Sequence, residues 1–191
     1  MLVVSQHDIG RAAWDRMRRE RSVVALTSAM GLPADIAATP ELRAAAIASW
    51  VPSRCAVTGV AALWIWGYVA HECPLPFRVA VPRGRHPDPP PGRAAHTWAW
   101  HTDSGAFAAA LNVGGVRVVS PTHAVGAALR VDPLEIALPA SIRALEAKAC
   151  DVRDVDQVMA AQSSAILGRE RQLSAWSALR HIIRASGVAL P

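Results

Sequence analysis

The chain has 191 residues, a formal net charge of +5 and a hydrophobic content of 52%, while aromatic residues make up 5%. This excludes a disordered chain and two large domains, and it leaves room for one domain with a full core, alone or behind a small N-terminal module. No stretch reaches the roughly 20 apolar residues that a membrane helix needs. The apolar run at 56–70 is too short, and Gly59 and Gly67 interrupt it.

The basic excess sits in the middle, where residues 51–130 hold seven Arg against three acids. Lys148 is the only lysine against nineteen arginines, so a GC-rich coding sequence accounts for the basic balance as readily as nucleic-acid affinity does. Cys55, Cys73 and Cys150 form no C-x-x-C pair and read as buried thiols, not as a disulfide framework or a zinc site. Asp8, Asp15 and Glu20 lie among the first residues and no apolar stretch follows the basic ones. No secretory signal is therefore visible, and a cytoplasmic location without a membrane partner is expected.

From the N-terminus, Ser5 with Asp8 three residues on reads as a capping box, and Ile9, Ala12, Ala13 and Met17 recur at helical spacing. That predicts a helix over 6–20 ending in the basic cluster Arg16, Arg18, Arg19 and Arg21. "SVVALT" at 22–27 reads as a strand. Thr39 before Pro40 opens a helix over 40–50, with Leu42, Ala46, Ile47 and Trp50 on one face. Thr58 is placed to cap the helix of "VTGVAALWIWGY" at 57–68, which Gly67 stops. At about 100° per residue, Trp64 and Trp66 point roughly 200° apart, so they cannot share one ligand.

Residues 77–81 alternate like a strand and Pro82 closes it. The Pro-rich stretch 82–92 reads as an exposed loop, in which Arg83 and Arg85, with Arg93 just beyond, form a second basic group. "AHTWAWHT" at 95–102 and "GVRVVS" at 115–120 read as further strands. Ser120-Pro121 and Asp132-Pro133 each open a helix, and Pro139 kinks or splits the second. Helices over 155–162 and 170–186 follow, the last ending at Gly187. The strands cluster in the middle, joined by loops too short for helical crossovers. The predicted class is α/β (α+β), with a small central, largely antiparallel sheet flanked by helices and a helical C-terminal third.

The seven histidines contain no H-x-x-x-H or H-E-x-x-H spacing, so neither a metal nor a cofactor is expected. Glu146-Ala147-Lys148 matches the letters of an E-x-K nuclease pair but falls in a helical pattern with no acidic strand before it. "NVGGVR" lacks the ending of a phosphate loop and precedes a strand. These residues give no enzyme motif. The two arginine groups, by contrast, place guanidinium on exposed positions where it can pair phosphate oxygens, which makes Arg16, Arg18, Arg19, Arg21, Arg83, Arg85 and Arg93 the candidate nucleic-acid contacts.

Four segments, "PSRCAVTGVAALWIWGY", "PLPFRVAVPRGRH", "HTWAWHT" and "GGVRVVSPTHAVGAALR", together resemble the AbiEi family of antitoxins from type IV toxin-antitoxin systems, in its actinobacterial form. The resemblance covers about residues 35–150 and rests on Thr58, Gly67, Pro82, His101, Ser120, Pro121 and His123. Thr58 and Gly59 stand where the family has Ser-His, Thr102 replaces an Arg beside the strand histidine, and His123, Ala124 and Ala127 occupy its Arg-Thr and Asp positions. The resemblance implies a non-enzymatic antitoxin that counteracts a cognate nucleotidyltransferase toxin without having to bind it. It also implies an N-terminal winged helix-turn-helix that represses its own promoter. Residues 1–35 are too few for a complete one and read as a truncated helical segment. An AbiEi-like domain over 36–150 and C-terminal helices over 151–191 follow. Longer relatives continue into a nuclease-like part, of which "SAWSALRHIIRASGVALP" resembles only the start. A DNA-binding autoregulator using the two arginine groups is the alternative expectation.

Overall fold

The computed structural model describes residues 3–70, 72–88, 98–163 and 166–185. Its first unit runs β1 (Val4–Ser5), α1 (Gln6–Ile9), α2 (Arg11–Arg19), β2 (Val23–Ala25) and β3 (Met30–Pro33), with an antiparallel sheet in the order β1-β3-β2. Ser5 caps α1 by accepting from the His7 N–H at 3.1 Å, as its sequence position predicts. The single helix expected over 6–20 is two helices, however. Gly10 adopts φ 82°, ψ 155°, a conformation that β-carbon-bearing residues avoid, and it breaks the helix after one turn. Trp14 is the buried anchor of α2, and it packs above Gly31, where a β-carbon would lie 3.0 Å from the indole and 2.6 Å from the Val24 carbonyl oxygen.

The larger unit holds α3 (Pro40–Ile47), a 3-10 turn at Ala48–Trp50, β4 (Ala56–Thr58), α4 (Gly59–Ile65), β5 (Phe77–Val81), β6 (Trp98–Thr102), α5 (Ser104–Ala108), β7 (Ala110–Val113) and β8 (Val116–Val119). Its helical remainder is α6 (Pro121–Val131), α7 (Leu134–Glu146), α8 (Val152–Ala161) and α9 (Arg169–Ala185). Its five strands form a mixed sheet in the order β6-β5-β4-β8-β7. This is the mixed α/β class with a helical C-terminal region. Over both sheets of the described residues, antiparallel pairings outnumber parallel ones by four to two. The pairing of β5 with β6 is parallel all the same, from Phe77 opposite Trp98 to Val81 opposite Thr102. The connection over 82–97 is long enough to carry the chain back along a five-residue strand without a helix, so shortness did not force a hairpin there.

The helix of the Trp-rich segment is the centre of the core. Every residue of α4 is buried, Trp64 is 0% exposed, and α6 and α7 pack across it. Trp66 is half-buried at the core edge, where its indole N–H donates to the Val119 carbonyl at 2.8 Å. Arg43 ties α3 to the end of α4 by donating to the carbonyls of Trp64 and Val69, with its guanidinium 5.3 Å from the Trp64 ring centre. Pro139 lies inside α7 without splitting it. Glu146-Ala147-Lys148 falls at the end of that helix, as the periodicity predicts.

Candidate nucleic-acid interface and buried polar network

On α2, Trp14 faces the core. With about 100° per residue, Arg16 and Arg19 lie roughly 160° and 140° away from it, on the opposite side of the helix. Both are exposed, as is Ala12, which lies about 160° from Trp14, so this face of the helix is open. Arg16 makes an i,i+4 pair with Glu20 at 3.0 Å, with both side chains more than half exposed, a contact of little strength that a phosphate can replace. Arg18 sits about 40° from Trp14 and reaches Glu72 at 2.7 Å, which commits it to the junction with the larger unit. Arg21, at φ 55°, follows the helix on an exposed turn.

The structure thus divides the expected arginine cluster. Arg83 and Arg85 follow the C-terminal end of β5, whereas Glu72, which holds Arg18, precedes its other end. The two basic groups therefore belong to opposite ends of one strand. Both loop arginines are exposed, and the Arg83 N–H donates to Ser104 Oγ at 2.9 Å. Arg93, like His96 and Gly187, lies outside the described residues. Arg11 is exposed but lies only about 60° from Trp14, on the side of Arg18, and it pairs with Asp15 at 3.8 Å.

Behind the motif residues of the larger unit lies a buried network. Asp132, expected to cap its own helix, instead caps another: its Oδ2 accepts from the Val60 N–H at 2.7 Å and its Oδ1 from Arg78 Nε at 3.0 Å. Thr58 occupies the cap position of α4, but its hydroxyl makes no capping bond. Gly59, at φ 62°, leaves the necessary space, since a β-carbon there would lie 2.2 Å from Asp132 Oδ2. Burial pushes the Asp132 carboxyl up, against the Val60 N–H and Arg78, which hold it down.

Next to it, Asp103 accepts from the Ala106 N–H at 3.0 Å and pairs with Arg130 at 3.0 Å, where both side chains are almost fully buried. His101 lies within the field of this pair. Burial first, then Arg130, brings its pKa down to about 4, and neither ring nitrogen has a hydrogen-bond partner. Ser120 Oγ, at the start of α6, bonds His123 Nδ1 at 3.0 Å instead of capping the backbone, and burial lowers the His123 pKa. Pro121 takes the first position of α6, Pro82 follows β5, and Gly67 turns the chain after α4 at φ 93°. His101, Ser120 and His123 therefore join the network or its rim, while Gly67 and Pro82 shape the backbone. Arg171 closes the C-terminal end of α6 by donating to the carbonyls of Arg130, at 3.0 Å, and of Asp132.

The thiols are unreactive by position. Burial pushes Cys55 up to about 11 and both Cys73 and Cys150 up to about 12. Among the described residues no three His, Cys, Asp or Glu side chains gather to hold a metal ion, and no helix is long and apolar enough to cross a membrane.

No family model matches the chain, and no curated protein does. Among solved structures, the crystal structure of RV2827C protein from Mycobacterium tuberculosis is similar at a TM-score of 0.43 and 14% identity, over 94% of this chain and 71% of that one.

Proposed function

We propose that the chain is a DNA-binding regulator that reads duplex DNA with the open face of α2. The observation that carries this reading is the N-terminal unit. A short helix, a glycine turn and a second helix precede a two-strand hairpin, with the strand order β1-β3-β2. This is the arrangement of a winged helix-turn-helix without its first helix, and its second helix is the one that enters a major groove in such proteins. Arg16 and Arg19 face away from the core and supply phosphate or base contacts. The test is fluorescence anisotropy on the duplex upstream of the chain's own gene and on an unrelated duplex, over a range of salt. Replacing Arg16 and Arg19 by Ala is expected to lower the slope of log affinity against log salt by about one for each phosphate left without its arginine. Absence of salt-dependent binding to either duplex sinks the reading.

A second reading is favoured by the larger unit, where the segments resembling AbiEi antitoxins supply β4, α4, β5, β6, β8 and α6 of one core. In this reading the chain counteracts a nucleotidyltransferase toxin through that unit. Growth rescue on co-expression with a nucleotidyltransferase encoded beside it is the check, and the Arg16 and Arg19 replacements are expected to leave rescue intact.

A further inference from the structure

We infer that the cavity between α5, the start of α6 and the end of α8 binds a neutral planar heterocycle with an N–H donor beside an acceptor on one edge, as a nucleobase has. The cavity measures about 430 Å³, within the size range of small-molecule sites. Val158, Ala161 and Ile166 give it apolar walls, and Gln157, Gln162 and His123 supply polar groups around them.

Charge narrows the class of ligand. Among the described residues Asp103 is the one carboxylate of the lining, and both of its oxygens are engaged, by the Ala106 N–H and by Arg130. A phosphate would meet this carboxylate with no lysine or arginine in the lining to offset it, and a cation would have to displace the buried Arg130. His123 adds no cation at neutral pH, because burial lowers its pKa. The apolar share of the wall disfavours a polyol, whose hydroxyls would lose water without replacement.

Hydrogen bonding narrows it further. Gln162 lines the cavity while its Oε1 is buried in the wall without a partner, a costly state that a turn of the amide toward a donor in the cavity relieves. Side-chain amides pair a donor with an acceptor, and so match an edge on which donor and acceptor lie side by side. Val158 and Ile166 are then available to the flat faces of the ring.

The experiment titrates the full chain with adenosine, guanosine, cytidine and uridine, and with their 5′-monophosphates, by calorimetry and by amide chemical shifts. At least one nucleoside is expected to bind with Kd below about 1 mM, and its monophosphate more weakly. Ala161→Trp, at an exposed wall of the cavity, is expected to abolish that binding, and Gln162→Leu to weaken it roughly tenfold, as removal of one hydrogen bond does. Unfolding midpoints close to that of the parent show that both variants fold. Binding by none of the four nucleosides overturns the inference, as does binding that survives Ala161→Trp or a monophosphate that binds more tightly than its nucleoside. Because DNA binding is read on α2, Ala161→Trp leaves it unchanged, and the two activities fail separately.

Discussion

Asp132 shows how much one side chain can hold. It satisfies a helix start that its own chain reaches only across 72 residues, and it neutralises Arg78 from the next strand. Asp132→Ala removes both interactions and leaves Arg78 partly buried without a partner, so a loss of about 3 kcal/mol is expected in urea unfolding. Gly59→Ala should cost a similar amount, about 3 kcal/mol, because it adds left-handed strain to a collision with the same carboxylate. His101 gives a pH signature. Its folded pKa of about 4 lies below its ordinary value of 6.5, so the unfolded chain takes the proton first as pH falls. The stability is whole above 6.5 and declines by about 3 kcal/mol as pH falls toward 4, which unfolding at a series of pH values detects and His101→Gln removes. The sequence marks Asp132 as notable but gives it the wrong work, and it gives His101 no work beyond a place in the resemblance. An aspartate before a proline reads as a local cap, and nothing local reports a partner on another element.

Elements with strong periodicity and punctuation were legible. Thr39-Pro40 and Ser120-Pro121 open helices where expected, and "FRVAV" is the strand it spells. Elements too short to show a period were not: β1, β3, α5 and β7 span two to five residues each. The break in the first helix is of this kind. The helix expected over 6–20 runs straight through Gly10, while the structure uses it as a pivot between α1 and α2. A β-carbon at Gly10 would meet nothing within 4 Å, so the cost of Gly10→Ala comes from the backbone alone. About 1–3 kcal/mol is expected. Faster amide exchange in β2 and β3, with the larger sheet unaffected, is the measurement that checks it.

At the scale of the molecule, Leu26 and Leu32 of the first unit enter the apolar core of the larger one, and a small set of polar bonds joins the two beside it. Arg18 pairs with Glu72, and the Cys73 N–H donates to the Leu26 carbonyl at 2.8 Å. If α2 binds DNA, Glu72 neutralises Arg18 at the junction and so lowers the positive field of the helix that the DNA meets. Glu72→Gln is therefore expected to raise DNA affinity about threefold to tenfold at low salt and to lose that advantage as salt rises, which the same anisotropy titration measures. The candidate interface was half legible in these terms. Arginine density marks the segment, but only the position of Trp14 tells which arginines face outward.

The reach of Asp132 also bears on how the protein is made. The central strand β4 pairs with β5 on one side and with β8 on the other, through Val57 opposite Val118, and the helix after it is capped from residue 132. On the ribosome, α4 emerges long before β8, α6 and Asp132 exist to cover it. Its seven buried residues stay without their cap until residue 132 has been synthesised. Translation order thus leaves a wholly apolar helix waiting for its partners, and it is there that a nascent chain exposes the surface most prone to stray association.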